Sequence, residues 1–306
     1  MSTESRSDRY RGLDAWSADE VLAAMVEGQL AAVAAVRAVL PAVTAAAEGA
    51  AERLARGGRL VYAGAGTSGR LAVQDGVELT PTFDWPPERC VFLMAGGEAA
   101  LMRSVEGAED DAEAGRAAVD AAAVGPADVA IGLAASGATA YTLAAVERAR
   151  ALGALTVGVA NNPGAPLLDA AEHPILLDTG PEAIAGSTRM KAGTAQRALL
   201  TVFSSAVMVR LNRVYDGYMV DVRATNRKLE RRSVRMVRAV TGAGEDAARD
   251  ALARCGGRVK PAVLVVRGLS AEDAAAALGR HGGSLRAALA DLADLADRAP
   301  ARGERR

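Results

Sequence analysis

The sequence is short of residues that many chemical frameworks require. Two cysteines, Cys90 and Cys255, in 306 residues exclude a disulfide framework and point to a reducing compartment, the cytoplasm. Two histidines, His173 and His281, stand far apart and do not suggest a zinc site or a Ser-His-Asp triad. One reads as a loop residue and the other as a helix end. Aromatic residues make up 3% of the chain, too few for the stacking platforms of single-stranded nucleic-acid binders. Neither sign of charge is in excess: 36 Lys and Arg face 37 Asp and Glu. Neither nucleic acid nor an anionic membrane is therefore called for as a partner, and any anion site has to be local. Residues 1–11 are polar and show no signal-peptide core, and no uninterrupted apolar run reads as a membrane span.

What the chain does have is pattern. Half of it is hydrophobic, enough at this length for a substantial core and about two domains. The stretch Arg59-Leu60-Val61-Tyr62-Ala63-Gly64-Ala65-Gly66-Thr67-Ser68-Gly69-Arg70 reads as a strand that breaks into a turn of glycines and hydroxyls and then enters a helix. Its glycines let a ligand approach the backbone, and the N–H groups that open the helix favour an anion. Thr67 and Ser68 add hydroxyl donors. Gly64, Gly66 and Gly69 also satisfy the dinucleotide pattern G-x-G-x-x-G, which calls for an acid closing the next strand. The next apolar run, 90–94, passes into Ala95-Gly96-Gly97 with Glu98 beyond the turn, so the loop reads as a phosphate cradle rather than a nicotinamide or flavin site.

Four further short apolar runs, at 91–94, 129–133, 155–159 and 174–177, are separated by helical segments. They predict an α/β fold with a parallel five-stranded sheet covered by helices on both faces, its ligand beyond the carboxyl ends of the strands. After the third strand Ser136, Gly137 and Thr139 repeat the hydroxyl theme. After the last, the stretch from Ser187 through Lys191 to Thr194 opens a helix reaching about Asn212. Each loop alone passes for an ordinary cap; three along one sheet edge point to a phosphorylated ligand. Ahead of the sheet lies an arm, 1–16, followed by an alanine-rich helical region that Ser17-Ala18-Asp19-Glu20 caps and Pro41 breaks. Its apolar faces suit a core on one side and a second subunit on the other. After Asp221 come a basic helix, 223–238, an alanine-rich helix to Arg254, a break at Gly256 and Gly257, an apolar run at 262–266, and helix starts at Ser270 and Ser284, the last helix ending near Ala299. This is a small helical C-terminal domain, and its basic run, interleaved with acids, reads as a solvated face. The expected domains are 1–56, 57–222 and 223–306.

Taken together, several segments resemble the N-acetylmuramic acid 6-phosphate etherases of the sugar-isomerase (SIS) superfamily. They are Gly64-Ala65-Gly66-Thr67-Ser68-Gly69-Arg70-Leu71, Val105-Glu106-Gly107-Ala108-Glu109-Asp110, Ala134-Ala135-Ser136-Gly137, Ser187 through Gln196, and Met219-Val220-Asp221-Val222 with Ala224-Thr225-Asn226. Thr3-Glu4-Ser5-Arg6 and His281-Gly282-Gly283 are also in keeping. The family segment Asp-x-x-Glu-x-Pro-Pro-Thr stands here as Asp75-Gly76-Val77-Glu78-Leu79-Thr80-Pro81-Thr82, with Thr80 in place of the first proline and Leu79 where cysteine is common. The resemblance implies catalytic roles for Glu78 and Glu109, and a phosphate held among Gly66, Thr67, Ser68, Gly69, Ser136, Gly137, Thr139, Ser187 and Lys191. It also implies a homodimer that uses neither metal nor redox cofactor.

The implied substrate is a 2-acetamido sugar 6-phosphate carrying a lactyl ether at carbon three. In the open-chain sugar the aldehyde acidifies the carbon-two hydrogen. A carboxylate removes that proton, a carboxylic acid protonates the departing ether oxygen, and water adds back. One carboxyl group has to be protonated and the other ionised. Glu78, between Val77 and Leu79, reads as the donor, and Glu109, beside Glu106 and Asp110, as the base; Glu182 and Lys191 stand in reserve. The alternatives are a non-catalytic sugar-phosphate sensor of the glucokinase-regulator kind, against which both glutamates speak, and an aldose–ketose isomerase.

Overall fold

The computed structural model describes residues 2–222, 224 and 226–298. Arg223 and Thr225, and Ala299 at the expected end of the last helix, lie outside the described residues. The chain divides into two compact units, one comprising residues up to 78 and 86–207, the other 79–85 and 208 onward.

In the first unit the helical region is two helices, α1 (Ala18–Ala38) and α2 (Leu40–Ala55). The Glu20 carboxylate accepts the Ser17 N–H and hydroxyl at 2.9 and 2.6 Å, and Pro41 sits in the first turn of α2, where its missing N–H is not needed. The sheet follows: β1 (Leu60–Gly64), α3 (Gly66–Phe83), β2 (Cys90–Met94), α4 (Ala99–Met102), α5 (Ala112–Ala121), β3 (Val129–Leu133), α6 (Ala140–Ala151), β4 (Leu155–Ala160), α7 (Pro166–Ala170), β5 (His173–Leu176) and α8 (Lys191–Arg210). The five strands are parallel in the order β2-β1-β3-β4-β5, as expected. His173 opens β5 and pairs with Val157, so it belongs to a strand and not to a loop. Strands β1, β3 and β4 are buried throughout, which is why they read as unbroken apolar runs. Val61, Ala63 and Ala130 pack with Val119, Ala145 and Ala149 of α5 and α6. Tyr62 points to the other face, where its ring stacks on Phe92 and its hydroxyl reaches Asp75 of α3.

Helix α1 corrects one expectation: at 21 residues it is long and apolar enough to cross a membrane by length and composition. The alanines that dominate it blur the run in the sequence. In the structure one side is committed to the chain, with Gly28 against the Lys191 stem, Gln29 bonded to Thr194 and Glu27 to Arg9. Leu22, Val26, Leu30 and Val33 form a stripe on the rest, 52% to 67% exposed.

The second unit holds a two-stranded hairpin, β6 (Val214–Tyr215) and β7 (Tyr218–Met219), and the helices α9 (Arg227–Thr241), α10 (Glu245–Arg254), α11 (Val259–Val266), α12 (Ala271–Arg280) and α13 (Leu285–Arg298). Residues 259–265 of α11 are all buried, and the core gathers around Val263 and Leu264 with Val237, Ala248 and Leu252.

Candidate active site

The strand order turns around between β1 and β3, because the chain leaves β1 towards β2 on one side and reaches β3 on the other. In a doubly wound sheet the crevice at this switch point, outside the carboxyl ends, receives the ligand. Two of the three hydroxyl loops flank it.

Behind β1, Gly64 and Gly69 press together so that α3 starts directly on the strand end. A Cβ on Gly69 would lie 2.3 Å from Met94 Sδ and 2.8 Å from the Gly64 carbonyl, so no larger residue fits. The first-turn N–H groups of α3 at Gly66, Thr67 and Ser68 have no capping side chain among the described residues. Ser68 is 7% exposed, and its hydroxyl has no partner there. The Thr67 methyl faces Gly193 of α8. Behind β3, Gly137 takes a φ of 67°, and its missing Cβ makes room for Ala165. Ser136 Oγ accepts the Ala138 N–H at 3.2 Å and lies 3.4 Å from the Thr139 hydroxyl. Thr139 stands at the N-cap of α6 with no side-chain cap bond, leaving donors there as well.

Glu109 belongs to this edge. It sits exposed on a single 3-10 turn, 108–110, and the neighbouring Ala108 packs on Ala65, Ala95 and Tyr141, the ends of β1 and β2 and the start of α6. Glu78 lies further along α3. It is exposed on α3, ten residues beyond Ser68, about 15 Å along the axis at the helical rise per residue. That is longer than the carbon chain of a hexose 6-phosphate.

The start of α8 already holds a carboxylate of the chain. Glu182, 1% exposed, fills that helix terminus from inside, accepting the N–H groups of Lys191 and Ala192 at 2.9 Å each. The Lys191 ammonium donates to the Thr179 carbonyl at 2.8 Å, and burial pushes its pKa down. Ser187, half-buried, keeps a hydroxyl without a partner among the described residues.

Three residues quoted in the sequence segments make contacts that the sequence reading did not assign. Asp75, 4% exposed, accepts the Tyr62 and Ser204 hydroxyls at 3.0 and 3.1 Å and faces Arg197 at 3.5 Å. Burial raises its pKa against the pull of those partners. The N-terminal arm is tied down: Thr3 is fully buried, and its N–H meets Asn162 Oδ1 at 3.2 Å while Asn162 Nδ2 reaches the Ala135 carbonyl at 2.9 Å. Gln196, which closes the segment Ser187–Gln196, donates from Nε2 to Asn161 Oδ1 at 2.9 Å, and its Oε1 is buried without a hydrogen-bond partner among the described residues. All three stand in segments quoted for the resemblance, Asp75 one helical turn before Glu78. Among the described residues no group of His, Cys, Asp and Glu is arranged to hold a metal ion.

The chain is similar to several known proteins. The glucokinase regulatory protein N-terminal SIS domain model matches residues 42–150 and the SIS domain model residues 110–206. A solved phosphoheptose isomerase from Francisella tularensis is 20% identical over 63% of this chain and 98% of its own, with a TM-score of 0.46. An N-acetylmuramic acid 6-phosphate etherase of Deinococcus radiodurans is 57% identical across 94% of this chain and 95% of its own. Another, of Rubrobacter xylanophilus, is 46% identical across 95% and 96%. At that identity over nearly the whole length of both partners, the chain belongs to the N-acetylmuramic acid 6-phosphate etherase family.

Proposed function

We propose that this protein is a carbon–oxygen lyase that cleaves the lactyl ether of N-acetylmuramic acid 6-phosphate by elimination and rehydration, giving N-acetylglucosamine 6-phosphate and D-lactate. The observation that supports the reading is the switch-point crevice, where the start of α3 at Ser68 and the Ser136–Thr139 loop follow β1 and β3, and where the turn that carries Glu109 packs through Ala108 on the same strand ends. The phosphate lies against the amides and hydroxyls of 66–69 and against Ser136, Gly137 and Thr139, with Ser187 bordering it. Oriented hydroxyls and amides hold a phosphate through charge-assisted hydrogen bonds. Lys191, spent on an internal carbonyl, supports the loop rather than the phosphate.

Glu109 takes the carbon-two proton and Glu78 protonates the ether oxygen. Since Glu78 lies too far down α3 to meet a sugar whose phosphate sits at Ser68 of the same chain, the pair is completed in a homodimer, each crevice receiving Glu78 of the partner subunit. The exposed stripe of α1 and the half-exposed Val77 beside Glu78 support that assembly. Covering them would give the donor dry surroundings. A cytoplasmic location fits two cysteines that form no disulfide with each other. The test is a lactate assay on incubation with the phosphosugar: release of D-lactate is expected. Interconversion of aldose and ketose without lactate would make it an isomerase, and binding without turnover a sensor.

A further inference from the structure

One feature lies outside this chemistry. The cations of α9 are gathered on one side of the helix, where Lys228, Arg231, Arg235 and Arg238 recur at helical spacing and line a cavity of about 540 Å³ with Arg249 and Glu245 of α10. Arg238 and Arg249 share the Glu245 carboxylate, at 3.5 and 2.6 Å. Lys228, Arg231 and Arg235 have no hydrogen bond or ion pair among the described residues. Five cations thus face one acid in a chain whose formal charge is only -1, so the concentration is local. Neighbours of like charge at i,i+3 and i,i+4 repel and weaken a helix. An anion seated among them relieves that repulsion, and guanidinium forks match phosphate oxygens two at a time.

We propose that the cavity between α9 and α10 is a binding site for a small polyphosphate, two or more linked phosphate groups, held by Arg231, Arg235 and Lys228. The volume suits a small molecule and falls within the usual range of ligand pockets. No aromatic side chain lines it, so a base or ring has nothing to stack on and recognition rests on the phosphates.

The experiment is calorimetric titration of the full-length protein with orthophosphate, pyrophosphate and tripolyphosphate at fixed ionic strength, in the presence of saturating sugar 6-phosphate product to occupy the crevice. Affinity is expected to rise with each added phosphate, and Arg231→Gln and Arg235→Gln each to weaken tripolyphosphate binding by roughly tenfold or more. Arg254→Gln, which removes a cation of α10 outside the cavity, is expected to leave binding as it was. Arg235→Gln is also expected to melt no lower than the parent in anion-free buffer while losing the rise in Tm that tripolyphosphate gives the parent. Equal affinity for the three anions, or binding unaltered in both α9 variants, would overturn the site. Tighter binding of a single-stranded oligonucleotide than of tripolyphosphate, lost in the same variants, would replace it with a nucleic-acid surface.

Discussion

The two ends of the one parallel sheet are built on opposite rules. At the amino end polar groups are closed on one another. Asp128, just before β3, takes the Arg59 guanidinium at 2.7 Å and the N–H groups of Arg59 and Gly125 at 2.9 and 3.0 Å. Arg59 in turn donates to the carbonyls of Ala122 and Ala123, and Arg89 reaches the Gly58 carbonyl. At the carboxyl end the first turn of α3 has no cap, and the hydroxyls of Ser68 and Ser187 have no partner among the described residues. A sheet end sealed by internal pairs contributes to stability; one left with oriented, unpaired donors has free energy to give to a ligand. The start of α8 shows that the contrast is not set by strand polarity alone. It lies after the last strand of the same sheet, yet Glu182 has closed it.

The largest effect that sharpens the contrast is chemical. Glu109→Gln is expected to lower lactate release by about a hundred- to ten-thousand-fold and to remove exchange of the carbon-two hydrogen with deuterated solvent, because no carbanion forms. Glu78→Gln is expected to stop release while leaving exchange, read by mass spectrometry of recovered substrate. Mixing the two inactive variants under subunit exchange is expected to restore part of the activity, since one crevice of a mixed dimer then holds both glutamates. Exchange surviving only in Glu109→Gln would reverse the roles, and failure of mixing to restore activity would put both groups in one chain.

At the amino end the effect is on stability. Asp128→Ala is expected to cost about 3 kcal/mol by stranding Arg59 and two backbone donors, measured by denaturant melting, with kcat and KM of the folded protein unaltered. Burial pushes the Asp128 carboxyl up, but the bonds from Arg59 and Gly125 outweigh it and hold the pKa below its usual value. Its contribution is therefore full above the ordinary aspartate range and is lost as pH falls through the lowered folded value. The gap between parent and variant should narrow below about pH 4. A change of KM would break the division between the two ends.

Smaller still, Ser136→Ala is expected to raise KM by roughly ten- to a hundred-fold, the worth of a charge-assisted hydrogen bond, with no fall in Tm. Smallest, Glu182→Gln should cost about 1 kcal/mol of stability, as loss of a helix cap does, with KM unmoved. An effect on KM there would return the start of α8 to the binding site.

The sequence by itself determined the sheet. Runs such as 129–133 are apolar at every position because both faces of the strand are buried, and glycine and hydroxyl clusters such as 64–69 mark where each run ends. That sufficed for the strands, for the loops at the crevice and, through the spread of motifs, for the family. The type of the 262–266 run was not legible, since five consecutive apolar residues show no period that separates helix from strand. Tertiary structure alone decided which helix starts stay open. Ser68 and Ser187 stand in similar local sequences, but Glu182 reaches α8 across an intervening loop, and no local pattern records where a distant carboxylate lands. The same holds for Glu78 and Glu109. Their motifs name both acids, yet only the fold sets one on a turn packed through Ala108 against the ends of β1 and β2 and the other about 15 Å down α3 from Ser68, because helical rise and strand order, not residue type, set where a residue is delivered.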